Sequence, residues 1–219
     1  MTSIVHTLLG DGSSDSVLEY PIKWALGELG MRGSDVGLAD LSVVDPRPRT
    51  LRDKVSATLR LYPGTHILYV HRDAEKEPRE ARIEEIDDAV ADAAVGDWSG
   101  CSVPIVPVRM TEAWLLHDEQ AIREASGNRK GKVPLTLPSV SKTESVADPK
   151  QVLLDALVDA SERKGRRLHD LRREFGRFRA DTARTIKDYS ALKAVPAFQA
   201  FLRDLDTAIG KLRQAGRIE

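Results

Sequence analysis

The apolar residues of the first 126 positions switch period repeatedly, and that switching limits the folds open to the chain. Residues 3–9 (SIVHTLL), 36–44 (VGLADLSVV), 66–70 (HILYV) and 101–109 (CSVPIVPVR) are apolar runs of strand length. Between them apolar residues recur at helical spacing: Leu18, Ile22, Ala25, Leu26 and Leu29, then Leu51, Val55 and Leu59, then Ile83, Ile86, Val90 and Ala93. Alternation of strand and helix predicts an α/β fold, Rossmann-like, with a mostly parallel sheet, because each parallel pair needs a crossover that covers a sheet face. Gly30 and Gly33 end the first helix, and the prolines of the fourth run place it at an edge or give it an irregular end. In such sheets ligands bind beyond the carboxyl ends of the strands.

Residues 127–147 are polar and proline-bearing with no sustained period, which predicts a long loop. Asp148 then stands as a helix cap with Pro149 at the first helical position, and the chain reads as helical from there to residue 219. Leu168, Leu171, Phe175 and Phe178 form one stripe; Val195, Phe198, Phe201, Leu202, Leu205, Ile209 and Leu212 form another. The expected organisation is an α/β domain over 1–126, a loop over 127–147 and a helical region over 148–219. At 41% hydrophobic residues the chain can bury a core, and its formal net charge of -1 gives no global attraction to polyanions or membranes. Any such attraction must come from a local patch. Cys101 stands alone, so neither an internal disulfide nor a cysteine-built zinc site is open to the chain. No apolar run approaches the ~18 residues of a membrane span, and the amino-terminus lacks a basic leader, so a cytoplasmic protein without membrane partners is expected.

Three acidic segments follow strands and so fall on one sheet edge: GDGSSD (10–15), HRDAEKE (71–77) and RMTEAW (109–114). Asp73 and Glu75 are two apart, so in extended chain both carboxylates face one point, an arrangement that suits Mg2+ or Mn2+. Alternatively Asp73 caps the next helix and Glu75 supports its dipole. Gly10 and Gly12 are read as turning the backbone through φ > 0, with Asp11 at the tip and Ser14 or Asp15 as a cap. Asp11, Asp73, Glu75 and Glu112 gathered at one edge would repel one another, which predicts a divalent cation among them. Such a cation would neutralise a phosphodiester and activate water, with no cysteine, serine triad or histidine pair required. Arg109 would clamp a phosphate or pair with an edge acid. His71 is a supporting group, a general base or simply a polar strand end. The basic stretch 163–179, with Arg166, Arg167, Arg172 and Arg173, would grip a nucleic-acid backbone or form a solvated face paired with acids. Trp98 and Trp114 are expected in the core or at an interface rather than as base-stacking platforms.

LLGDGSSD resembles the first motif of toprim domains, and YVHRDAE resembles the second, an acidic pair after a strand. PVRMTEAWLLHD (107–118), DPK (148–150) and PAFQAF (196–201) are similar to segments of a bacterial toprim-like family related to the overcoming-lysogenization-defect nucleases, so the likeness spans nearly the whole chain. The resemblance implies a toprim domain and Mg2+-dependent cleavage of DNA or RNA. Asp73 and Glu75 would hold the metal, and Asp11 would be a ligand or general acid/base. It also implies an ABC-type ATPase partner in phage defence; homo-oligomerisation stays open. Two positions depart from the toprim pattern: Asp11 stands where Glu is usual, and Glu75 where Asp is usual. Phe198 and Phe201 either pack on the α/β domain or present a docking face to the ATPase. Two other readings remain: a metal-dependent phosphohydrolase or nucleotidyl enzyme acting on small nucleotides, and a binding module, since DGSSD nearly matches the metal-ion-dependent adhesion pattern.

Overall fold

The computed structural model describes residues 4–31, 33–74, 77–93 and 98–218. Among these the chain forms β1 (His6–Leu9), α1 (Glu19–Glu28), β2 (Val36–Leu38), α2 (Leu51–Leu61), β3 (Ile67–His71), α3 (Arg79–Ala93) and β4 (Cys101–Ile105). Helices α4 (Glu119–Ala125), α5 (Pro149–Ser161), α6 (Arg166–Arg173), α7 (Phe175–Thr185) and α8 (Pro196–Gln214) follow. Short 3-10 turns span Ser13–Leu18, Thr111–Leu115, Val140–Ser145 and Ser190–Ala194.

The strands form one four-stranded sheet in the order β2-β1-β3-β4. Every pair is parallel, with His6 opposite both Val36 and Ile67, and Ile67 opposite Cys101. This is the expected α/β architecture. The chain steps from β1 outward to β2, then crosses back to the other side of β1 to form β3. The strand order therefore reverses between β1 and β3, and the crevice beyond their carboxyl ends is the switch point where open α/β sheets bind ligands. β4 is an edge strand and carries Pro104, which removes a ladder donor that a central strand would need. Three strands are shorter than the apolar runs suggest, and β1 begins only at His6. After Leu38 the Ala39 N–H still reaches the Leu8 carbonyl at 2.8 Å, but the Asp40 carboxylate then captures the Ser42 N–H at 2.9 Å and turns the chain out of the sheet. β4 stops at Ile105, before Pro107.

Side chains alternate across the sheet. Leu8, Ile67, Tyr69, Val103 and Ile105 face a core shared with α1, α5, α7 and α8. Leu9, Leu68 and Val70 face α2 and α3 through Val55, Leu59, Ile86 and Ala89. The carboxy-terminal helices thus build one face of the same layered core. Asp148 caps α5 by accepting the Gln151 N–H at 2.9 Å, with Pro149 in the first turn, as the sequence predicts. Phe198 and Phe201 are fully buried, and Phe198 meets Trp114 edge to face at 4.9 Å. That excludes them as an exposed docking face: their rings supply core packing, on the order of 1.5–3 kcal/mol each from burial. Trp114 is core as expected, and the Trp98 indole N–H donates to the Thr65 carbonyl at 2.8 Å.

The 127–147 stretch is pinned rather than loose. Asn128 donates to the Ala160 carbonyl at 3.0 Å, the Lys132 N–H to Glu162 Oε1 at 3.0 Å, and Arg123 to the Val133 carbonyl at 2.8 Å. The basic stretch is two helices broken at Glu174, with Leu171, Phe178 and Arg179 turned inward. No helix among the described residues is long and apolar enough to cross a membrane.

Candidate active site at the carboxyl edge of the sheet

The loop after β1 is organised by Asp15. Its Oδ2 accepts the backbone N–H of Asp11 at 2.8 Å and of Gly12 at 3.3 Å. A carboxylate folded back onto its own loop leaves no room beneath it. A Cβ on Gly10 would sit 2.8 Å from both Cβ and Oδ2 of Asp15, so glycine is required there by close approach. This corrects the reading of the two glycines as φ > 0 turn residues. Gly12 is extended, with φ -165, and neither Gly10 nor Gly12 is among the positive-φ glycines.

His71, the last residue of β3, lies on the same sheet face and is 2% exposed. Its Nδ1 bonds Asp15 Oδ2 at 3.2 Å, and its Nε2 bonds Asp73 Oδ1 at 3.2 Å, with Thr111 Oγ1 also 3.2 Å from Nε2. Burial works against the imidazolium, but the two carboxylates outweigh it and hold the His71 pKa at about 9. At neutral pH both ring nitrogens therefore donate, and His71 is a clamp between carboxylates rather than a general base. Burial likewise works to raise the Asp15 pKa, but the bonds from His71 and from the loop N–H groups outweigh it and hold it below its ordinary value.

Asp11 stands at the loop tip, 45% exposed, as the sequence suggests. It is not alone: Lys54 Nζ of α2 lies 3.0 Å from Oδ1, and Arg72 Nη1 lies 3.2 Å from Oδ1 and 3.3 Å from Oδ2. Arg72 also reaches Glu85 of α3 at 3.2 Å. The expected repulsion among edge acids is thus already relieved by Lys54, Arg72 and the His71 imidazolium. Balancing these acids therefore requires no metal ion, and only the donor set favours one.

Glu112 turns away from this group. It is 4% exposed, and its Oε1 takes Arg179 Nη1 of α7 at 2.7 Å. The same guanidinium donates through Nη2 to the Ser14 carbonyl. Glu112 and Arg179 therefore brace the acidic loop from behind, tying the carboxy-terminal helices to it, and Glu112 is placed for support rather than for contact with a substrate. Removing one partner of a buried pair of this kind costs about 3–5 kcal/mol. Arg109 sits between β4 and the Thr111–Leu115 turn with φ 70, a left-handed backbone that costs a non-glycine residue roughly 1–3 kcal/mol. Arg166, Arg167, Arg172 and Arg173 are exposed on α6, and Arg173 is drawn to Asp170 at 3.0 Å. Glu75 lies outside the described residues.

Lys54, Arg72 and Thr111 have no role in the sequence reading, and Arg179, the last residue of the basic stretch 163–179, is buried against Glu112 instead of lying on a solvated face. Arg72 had a visible cue, since it adjoins Asp73 in the acidic segment. Lys54 and Arg179 come from 43 and 165 residues away from the groups they meet, so no local pattern could mark them.

Among the described residues no three His, Cys, Asp or Glu side chains form a metal cage. The donors present still suit a hard cation. Asp73 is 33% exposed and spends Oδ1 on His71, which leaves Oδ2 for another partner, and Asp11 is open to solvent at the neighbouring strand end. A cleft of roughly 610 Å3 opens beside Asp11, lined also by Gly10, Gly12, Leu41, Arg47 and Lys54. Comparison with family models, with curated proteins and with solved structures finds no match to the chain.

Proposed function

We propose that the chain is a toprim-like nuclease that hydrolyses the phosphodiester bonds of DNA or RNA with Mg2+ or Mn2+. What carries this reading is the pairing of Asp11 with Lys54 and Arg72 after β1, with Asp73 held by His71 after the neighbouring strand β3, at the switch point of a parallel sheet. Carboxylates beside cations suit a phosphate ester held next to a hard metal ion. Asp11 and Asp73 would hold the ion, with Glu75 as the remaining acid of the resemblance. The bound ion would neutralise phosphate charge and lower the pKa of its water.

The chain's own residues do the rest. Lys54 and Arg72 are donors that an incoming phosphate can draw from Asp11, with Arg72 offering a planar fork. His71 fixes the direction of Asp73 and keeps one of its oxygens occupied. Asp15 holds the Asp11 backbone in place. The resemblance at PVRMTEAWLLHD and PAFQAF supports a cytoplasmic effector controlled by an ABC-type ATPase. With Phe198 and Phe201 in the core, the exposed arginine face of α6 is a surface that could make that contact.

Purified protein with Mg2+ or Mn2+ against plasmid, RNA and nucleoside triphosphates, each beside a chelator control, tests the reading. Metal-dependent cutting of nucleic acid, reduced at least ~100-fold in Asp73→Asn, is expected. Intact substrates in every metal would overturn it. A second reading, hydrolysis of small nucleotides, is favoured by the 610 Å3 cleft, which falls in the range of small-molecule sites. Release of phosphate from the triphosphates, with plasmid and RNA intact, would select it.

A further inference from the structure

We infer that the substrate strand leaves the acidic edge along α2, gripped by Arg47, Arg49 and Arg60. This rests on the phosphodiester reading above and adds the path of the strand. Two clefts meet on the β2 side of the sheet. The one beside Asp11 and Lys54 also includes Arg47 and Pro48. The second, roughly 700 Å3, shares Arg47 and Pro48 and continues past Arg49 to Arg60 and Leu61. Its wall along α2 is formed by Asp53, Ala57, Arg60 and Leu61, which repeat at helical spacing and so lie on one helix face. From residue 53 to 61 that face runs about 12 Å at ~1.5 Å per residue. Together the clefts form a groove that starts at a proposed metal ligand and runs the length of a helix.

The charges along this groove change in kind. Next to Asp11 the cations are spent: Lys54 and Arg72 on Asp11, Arg72 and Arg82 on Glu85. Farther out, Arg47, Arg49 and Arg60 are exposed, and among the described residues none of them closes a salt bridge. Asp45 and Asp53 line the second cleft and Asp40 the first; Arg47 acts on Asp40 only at a distance, adding to the Ser42 hydrogen bonds that lower its pKa, and no salt bridge forms. Guanidinium groups free of salt bridges along a groove suit the planar, bidentate recognition of successive phosphates. The basic helix α6 has unpaired arginines as well, but it reaches the acidic loop only through α7, whereas the groove is lined by Asp11 itself.

The test measures binding of a fluorescent single-stranded oligonucleotide by anisotropy, with Ca2+ in place of Mg2+, across a salt series. The variants are Arg47→Ala/Arg49→Ala/Arg60→Ala and Arg166→Ala/Arg167→Ala/Arg172→Ala, with Arg60→Gln alone in case the first fails to fold; melting curves check each. The groove variant is expected to bind 10- to 100-fold more weakly and to flatten the log–log salt slope by about 2, at ~0.7 per lost contact to a single strand. The α6 variant should stay near wild type, and Arg60→Gln should show about a third of the slope change. If the wild type binds and the groove variant binds equally well with an unchanged slope, the path is wrong and the nuclease reading stands. If the wild type binds ATP but no oligonucleotide, the small-nucleotide reading replaces the strand path. If it binds neither, the path and the reading fall together.

Discussion

The two ends of the sheet use the same residue type in opposite ways. At the amino end His6 enters β1 buried, with Nδ1 3.0 Å from the Tyr69 hydroxyl and no partner for Nε2. Around it the contacts hold no carboxylate: Thr7 meets Thr65 hydroxyl to hydroxyl at 2.7 Å, and His66 Nδ1 accepts the Val5 N–H at 3.1 Å. Burial, with His66 nearby, pushes the His6 pKa down to about 4. At the carboxyl end His71 is just as buried, yet Asp15 and Asp73 raise its pKa to about 9. Burial alone therefore does not set a histidine's charge; the carboxylates within reach do. One end is a seam with no carboxylate among its contacts, and the other is a compensated cluster of charges open to a cleft. The first is suited to holding strands together, the second to binding an ionic ligand.

Removing the anion that anchors the charged end should have the largest effect. Asp15→Ala strands the buried His71 cation with one carboxylate and frees the Asp11 and Gly12 N–H groups. A loss of about 3–5 kcal/mol is expected, or on the order of 10 °C in the melting temperature. A melting curve within 2 °C of wild type would show that the Asp15–His71 pair adds no stability.

Next in size is the pH profile of stability, in which the two histidines pull in opposite directions. The raised His71 pKa contributes stability that is whole below about 6.5 and is lost as pH rises through about 9. The depressed His6 pKa acts in the other window: between about 6.5 and 4 the unfolded chain takes up a proton that the folded chain refuses, so stability falls as the pH drops. Each window is worth on the order of 3 kcal/mol. Chemical denaturation from pH 4 to 10 should give a maximum near 6.5. His71→Gln should flatten the alkaline limb alone, and His6→Gln the acid limb alone. One variant altering both limbs would break the contrast between the two ends.

The smallest effect belongs to the seam at the amino end. Thr7→Val deletes one hydroxyl contact, but Thr65 still donates to the Tyr62 carbonyl at 2.7 Å. The expected cost is about 1 kcal/mol or less by denaturant titration. A loss near that of Asp15→Ala would mean the seam carries more than its contacts suggest.

What the sequence made legible was local. The Asp148–Pro149 helix start, the stops at Gly30 and Gly33 and the edge position of the proline-bearing β4 each depend on a few adjacent residues. Asp11 and Asp73 were legible because both follow apolar strands of a parallel sheet. What stayed hidden was non-local. Lys54 and Arg179 reach the loop across the fold, and their pairing with Asp11 and Glu112 changes what those acids can do. The role of Gly10 was misread because close approach by a side chain five residues on leaves no mark in a turn pattern. Val36–Leu38 fell short of its apolar run because the Asp40 carboxylate competes for a backbone donor.

The contrast between the two ends is tested most directly by where Mn2+ binds. In amide NMR spectra of the full chain titrated with Mn2+, paramagnetic broadening should appear first at Gly10–Asp15 and at 71–74, beside the exposed carboxylate of Asp11 and the half-buried one of Asp73. The amides of Val5, His6, Thr65 and His66 at the other end should stay sharp, and Asp73→Asn should shift the broadening to at least ~10-fold higher Mn2+. Broadening spread evenly over both ends, or unchanged in Asp73→Asn, would contradict a cation site at the carboxyl edge.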